Sequence, residues 1–124
     1  MILVDTSVWI DHLRAGNRLL VELLEAGNVL VHPFVIGEIA LGNLKQRELI
    51  LGALADLPQA VVARDDEVMP FIEGSGLFGR GIGYLDVHLL ASIRLTVGSL
   101  LWTHDRRLRD IAEQLGMAVP PGGS

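Results

Sequence analysis

The sequence predicts an α/β fold, a three-layer α/β/α sandwich with a mainly parallel central sheet. Short, continuous apolar runs alternate with longer segments of helical periodicity, and such runs are typical of strands covered on both faces. Strands separated by helices run parallel, because each crossover returns the chain to the same end of the sheet. A length of 124 residues suits one domain. We therefore assign residues 1–119 to a single domain and expect residues 120–124 to form a disordered tail.

Each element follows from a local signal. The apolar runs predicted as strands cover residues 2–4, 29–31, 60–63 and 99–103. Capping residues or proline mark the helix starts, and glycine or proline marks most of the ends. The predicted helices run over 8–13, from Asn17 to Gly27, from Pro33 to Gly42, over 47–57, from about Asp65, over 84–96 and over 106–115.

Composition narrows the class of protein. Half of the residues are hydrophobic and the mean hydropathy is +0.43, yet no apolar run approaches the roughly 20 residues of a membrane helix. We expect the apolar excess to form a homodimer or partner interface. The absence of cysteine excludes disulfides and thiolate metal sites, and it suits a cytoplasmic protein. A net charge of −5 argues against broad coating of nucleic acid but leaves room for a local basic strip.

Four acidic residues stand at a strand end or in a helix, among apolar or small neighbours. Asp5 and Asp105 follow predicted strands, Glu38 lies about two turns into a helix, and Asp86 lies near a helix start. The carboxyl ends of parallel strands meet at one edge of a sheet, so we expect these side chains to share one cleft. Asp5 and Asp105 could instead be simple helix caps, and Asp86 a first-turn acid favoured by the helix dipole. Glu38 has no such alternative.

Such a grouping of carboxylates requires positive charge. Two carboxylates about 4 Å apart repel by roughly 4 kcal/mol at an effective dielectric of 20, and no lysine is placed to match them. Oxygen ligands favour Mg²⁺ or Mn²⁺ over zinc. The sequence therefore predicts a divalent metal site, and with it metal-assisted hydrolysis of a phosphodiester.

The acidic motifs resemble those of a known family. Asp-Thr-Ser at 5–7, Val-Ile-Gly-Glu-Ile-Ala-Leu-Gly at 35–42, an Asp opening a later helix at 86 and Thr-His-Asp at 103–105 look like a PIN domain, and more narrowly like the toxin ribonucleases of VapBC toxin–antitoxin modules. The resemblance implies that Asp5, Glu38, Asp86 and Asp105 bind Mg²⁺ or Mn²⁺, with supporting hydrogen bonds from Thr6, Ser7 and Thr103. It also implies cleavage of structured RNA such as tRNA, a homodimer, and a VapB-type antitoxin whose C-terminal segment covers the cleft.

Basic residues near the predicted cleft are candidates for binding RNA. Arg80 lies in a glycine-rich loop. Arg106, Arg107 and Arg109 follow the last acidic residue of the predicted cleft. Ordinary solvated charges are the alternative for each.

Three other functions stay open at this point. Two of the four histidines could form a metal-free ribonuclease site, with His104 the one to watch. The chain could be a catalytically degenerate PIN scaffold that only binds partners. It could also be a flavodoxin-like phosphoacceptor or phosphatase domain, although Lys45 does not follow a strand and Ser7 occupies the place of the second phosphatase Asp.

Overall fold

The computed structural model describes residues 1–120, so the predicted disorder of residues 121–124 lies outside the described part. Its strands are β1 (Ile2–Val4), β2 (Val29–Leu30) and β3 (Leu100–Trp102). Its helices are α1 (Thr6–Ala15), α2 (Arg18–Glu25), α3 (Pro33–Ala40), α4 (Arg47–Ala55), α5 (Asp65–Ser75), α6 (Tyr84–Leu95) and α7 (Arg106–Gln114). None of these helices is long and apolar enough to cross a membrane.

The strands form a parallel sheet in the order β2-β1-β3. In the register of β1 and β3, Val4 lies opposite Trp102, and Leu3 of β1 lies opposite Leu30 of β2. Leu3, Val4 and Trp102 are all at most 5% exposed, as expected for strands with helices on both faces. The predicted α/β class and parallel sheet are confirmed.

The predicted strand over residues 60–63 is wrong. Within residues 1–120, the only bridge near this segment lies just before it, between Val31 and Gln59. It is made by bonds from the Val31 N–H to Pro58 O and from the Ala60 N–H to Val31 O. β2 ends at Leu30, so little backbone is left for a longer ladder, and the next N–H, of Val61, donates to the Thr96 hydroxyl instead. Apolar character alone does not make a strand where the neighbouring edge is this short.

The other elements differ from the predictions mainly at their ends. α1 begins at Thr6 rather than at residue 8, α4 ends at Ala55, and β3 is shorter than predicted at both ends. Such shifts of a residue or two are ordinary at element ends. One sheet contact was not predicted: Ala118 bridges Leu101 in parallel on the outer edge of β3.

Candidate active site

Asp5 stands where β1 passes into α1. Its carboxylate is 6% exposed, and its Oδ2 accepts hydrogen bonds of 2.7 Å from both Ser7 Oγ and Thr103 Oγ1. The sheet register explains the second bond, because Val4 lies opposite Trp102 and the next residues of the two strands are then adjacent. Asp5 occupies the N-cap position of α1, yet its side chain makes no capping hydrogen bond. The cap interpretation therefore does not account for this carboxylate.

Hydroxyl groups join the end of β3 to the start of α1. Ser7 Oγ also accepts from the His104 N–H at 3.0 Å, and Thr103 Oγ1 accepts from the Asp105 N–H at 3.0 Å. Thr103 is buried, so its hydroxyl orders the backbone and the Asp5 carboxylate together. The two hydroxyls thus connect the end of β3 to the Asp5 carboxylate.

Glu38 reaches this edge from α3. Its Oε1 accepts a hydrogen bond of 2.8 Å from Thr6 Oγ1, the hydroxyl next to Asp5 in the chain. Glu38 is exposed, and it forms no ion pair with any residue of the 1–120 range. Thr6 thus orients a carboxylate that no cationic side chain in the described part of the chain neutralises.

Asp105 both caps a helix and belongs to this edge. Its Oδ1 accepts from the Leu108 N–H at 3.0 Å, which makes it the N-cap of α7. The cap interpretation is correct for Asp105, but it uses only one of the two carboxylate oxygens. A capping role and a place beside Asp5 are therefore compatible.

Asp86 shows that the four carboxylates converge. It lies in the first turn of α6, and its Oδ2 accepts from the Gly83 N–H at 3.1 Å. Burial raises the pKa of Asp86, and the negative charges of Asp5, Asp105 and Glu38 raise that pKa further, although the Gly83 bond acts in the opposite direction. Asp86 is therefore within electrostatic reach of three carboxylates that come from separate parts of the chain. Below, the acidic cluster means these four residues.

The donor set of the acidic cluster fits a hard divalent cation. All four groups offer oxygen ligands, and within residues 1–120 none of them is paired with a lysine or arginine. No three carboxylates or imidazoles of this range are close enough to ligate one ion directly. Magnesium keeps several waters and is usually bound through one or two carboxylates. The charge and chemistry of the acidic cluster fit that mode of binding better than a closed all-protein site.

The arginines predicted to bind RNA occupy two different places in the structure. Arg80 Nη2 donates to Gln114 Oε1 at 2.9 Å. Arg107 lies against Gly81, where an added Cβ would be 2.7 Å from its Nη1. These two side chains hold the loop before Asp86 against α7. Arg106 and Arg109 instead line a cavity that Thr103 and His104 also line.

The histidines do not form the acid–base pair of a metal-free ribonuclease. His12 Nδ1 accepts a backbone hydrogen bond from Asn17, and the fully buried His32 caps α3 through Nδ1. His88 is buried and lies 3.1 Å from Asp65 Oδ1. His104 pairs with Asp11, its Nδ1 lying 2.6 Å from Oδ2. The two His–Asp pairs escaped sequence analysis because their partners are far apart in the chain and neither lies in a recognisable motif.

The class of protein follows from the position of this cluster at the carboxyl edge of a parallel sheet. The chain belongs to the PIN domain family, which it matches over residues 2–114, a range that contains all four acidic residues. It is similar to Ribonuclease VapC32 of Mycobacterium tuberculosis in two strains, CDC 1551 / Oshkosh and ATCC 25618 / H37Rv. To each of these it is 49% identical over 119 residues, which cover 96% of this chain and 96% of the relative. The resemblance to PIN domains and VapC proteins is confirmed.

Proposed function

We propose that this protein is a divalent-metal-dependent endoribonuclease and the toxin component of a type II toxin–antitoxin module. One observation supports the proposal: hydrogen bonds and strand register link Asp5, Glu38 and the end of β3 at one sheet edge. Asp86 senses the charges of Asp5, Glu38 and Asp105, and none of the four has a lysine or arginine partner among residues 1–120. The 49% identity to proteins named Ribonuclease VapC32 supports RNA as the substrate. Structured RNA such as tRNA is the proposed target.

Mg²⁺, or Mn²⁺ in its place, is the proposed cofactor, and the acidic cluster would hold it. When bound, such an ion supplies positive charge to the reacting phosphate and makes a coordinated water more acidic. The protein's own contribution is to position the ligands. Ser7 and Thr103 fix Asp5, Thr6 fixes Glu38, and backbone N–H groups fix the other two carboxylates.

Hydrogen bonds of this kind orient the carboxylates before the substrate arrives. Burial and three like charges raise the pKa of Asp86. A bound cation would offset that repulsion, so Asp86 is a sensitive position at which to test the metal site.

A cleavage assay tests the proposal. Purified protein is incubated with labelled RNA in Mg²⁺ or in EDTA, and the same assay is run on Asp5→Asn, Asp86→Asn and the control Asp56→Asn. Asp56 is an exposed residue at the end of α4, away from the acidic cluster. We expect cleavage to require the metal, to persist in the control and to fall at least about 100-fold in the other two variants.

The outcome that refutes the proposal is equally clear. Cleavage that resists EDTA, or that survives both Asp→Asn substitutions, removes the acidic cluster from the reaction. Products ending in a cyclic phosphate would instead indicate attack by the 2′-hydroxyl with histidine catalysis. A folded wild-type protein that binds RNA but never cuts it would favour the degenerate-scaffold alternative.

The proposed partners are a VapB-type antitoxin and a second copy of this chain, in the cytoplasm. Large apolar side chains remain exposed on the single chain, among them Leu41 at 89%, Leu49 at 67% and Phe78 at 64%. Such surface is typical of contact with other proteins. Light scattering at micromolar concentration tests the homodimer, and a monomeric mass would contradict it.

A further inference from the structure

A cavity of about 510 Å³ opens beside the acidic cluster, between α7 and the outer face of β3. Thr103 and His104 line it. Thr103 is the residue that donates to Asp5 Oδ2, and His104 directly precedes Asp105. None of the four acidic residues lines the cavity itself, but Thr103 and His104 connect its wall to Asp5 and Asp105. The volume lies in the range of about 300–1,000 Å³ that is typical of small-molecule sites.

The cavity combines an apolar floor with a basic rim. Leu19, Leu101 and Trp102 form part of the floor, and Arg106 and Arg109 stand on the α7 side. These two arginines are three residues apart on one helix, so they share a face. Both are exposed, and within residues 1–120 neither forms an ion pair or donates a side-chain hydrogen bond. Two guanidinium groups are thus available to an anion.

His104 is held in place at the same rim. Its Nδ1 lies 2.6 Å from Asp11 Oδ2, and Asp11 in turn accepts from Arg14 Nη2 at 3.0 Å. The His104 backbone N–H donates to Ser7, and its ring stands edge-on to Trp102 with centroids 5.9 Å apart. Because Asp11 occupies Nδ1, the other ring nitrogen is left for contacts outside this network.

The acidic residues of the cavity wall make its two ends electrostatically different. Asp110 and Glu113 line it further along α7 than Arg106 and Arg109. An anion is therefore favoured beside Arg106 and Arg109 and disfavoured beside Asp110 and Glu113. Carboxylates at the far end can accept hydrogen bonds from amino or hydroxyl groups, as they do from the amino group of cytosine.

We infer that this cavity is a subsite for one nucleotide of the RNA strand, next to the phosphate that is cut. Arg106, Arg109 and His104 bind its phosphate, its base packs on the apolar floor, and Asp110 with Glu113 contacts its amino or hydroxyl groups. This inference rests on the proposed function for RNA as the substrate class and for the position of the cut phosphate, whereas binding of the nucleotide itself requires no cleavage. It also gives Arg106 a role in RNA binding that Arg107 does not share, because Arg107 lies against Gly81.

The experiment measures binding without cleavage. Fluorescence anisotropy of a labelled single-stranded RNA in EDTA gives Kd for wild type, Arg106→Gln, Arg109→Gln and the control Lys45→Gln. Lys45 is exposed and lies in the loop between α3 and α4, outside this cavity. Loss of one charge-assisted phosphate contact should weaken binding roughly tenfold. The slope of log K against log salt should also fall by about 0.7 for each phosphate contact removed.

Asp11→Asn tests the role of His104 by the sign of its effect. If only net charge mattered, removal of a negative charge would tighten RNA binding. If Asp11 positions the imidazole for contact, the same substitution weakens binding. Tighter binding would overturn the place of His104 in the subsite, and arginine variants that bind RNA like Lys45→Gln would overturn the subsite itself.

The two proposals fail separately. RNA binding that depends on Arg106 and Arg109 in a protein that never cuts RNA would sink the nuclease proposal and leave the subsite standing. Metal-dependent cleavage with unchanged binding in both arginine variants would do the reverse.

Discussion

His32 should make the stability of this protein strongly dependent on pH. It is fully buried at the start of α3, and its pKa is lowered from 6.5 to about 4, first by burial and then by the charge of His88. Its Nδ1 accepts a hydrogen bond from the Phe34 N–H at 3.0 Å. A proton on Nδ1 would face this N–H, so the hydrogen bond that caps α3 would be lost. Neutral His32 therefore carries its proton on Nε2, which has no hydrogen-bond partner among residues 1–120.

The size of the effect follows from linkage. A pKa near 4 in the folded chain against 6.5 in the unfolded chain corresponds to about 3 kcal/mol, at about 1.36 kcal/mol for each pH unit. The unfolded chain binds the extra proton between these values, so the contribution is complete above pH 6.5 and is lost as the pH falls towards 4. About 2 kcal/mol of stability should disappear between pH 7 and pH 5 on this account alone.

Urea unfolding of wild type and His32→Asn at pH 7, 6 and 5 measures this contribution. Asparagine is a favoured N-cap and can accept from Phe34 in place of the imidazole, without titrating. We expect the free energy of unfolding to fall less in the variant than in wild type, by about 2 kcal/mol over this interval. The protein concentration is kept constant, because any dimer would make stability depend on it.

Other titrating groups are common to both proteins and cancel in the comparison. The raised pKa of Asp86, for example, has the opposite effect, since its contribution is lost as the pH rises. His12→Asn is the matched control: its Nδ1 also accepts a backbone N–H, but its ring is only partly buried. Equal losses of stability in wild type and His32→Asn would refute the reasoning.

Four further predictions concern the acidic cluster, the residues that support it and the loop before Asp86. In EDTA, Asp86→Asn should unfold at a higher temperature than wild type, because it removes a buried charge that its neighbours repel; a lower melting temperature would contradict this. Mg²⁺ at about 100 times its Kd should stabilise wild type by about 2.7 kcal/mol in calorimetry, and Asp86→Asn clearly less; equal gains would count against the metal site. Thr103→Val should lower the free energy of unfolding in urea by about 1–3 kcal/mol and also lower kcat, because the buried Asp5 carboxylate loses one hydrogen-bond donor. An unchanged kcat would show that Thr103 is purely structural. Gly81→Ala should displace Arg107, since the new Cβ would lie 2.7 Å from Nη1 at a φ of +80°, and it should raise proteolysis of the 76–83 loop; wild-type resistance would show that the loop does not depend on this contact.

Much of the architecture could be predicted from the sequence because it depends on local patterns. Buried parallel strands are continuously apolar and helix ends carry capping residues, so β1, α3 and α7 could be placed to within a residue or two. The acidic residues were identifiable for a related reason. Asp5 and Glu38 are carboxylates among apolar neighbours, where burial of an unpaired charge would cost free energy.

Other features depend on contacts that no local pattern records. Whether residues 60–63 form a strand depends on the length of β2, thirty residues earlier, and the structure gives a single bridge at Gln59. Where the 76–83 loop packs decides which arginines contact it, Arg80 and Arg107, and leaves Arg106 to line the cavity. The Asp11–His104 pair joins α1 to the end of β3.

The sequence by itself determined the alternation of strands and helices and the identity of the acidic residues. Hydrophobic periodicity, and the free-energy cost of a carboxylate among apolar residues, are both properties of short segments. Only the tertiary structure decided which hydroxyl holds Asp5, which arginines line the cavity and why His32 resists protonation. Those outcomes depend on sheet register, packing and burial, which bring together groups that the chain keeps far apart.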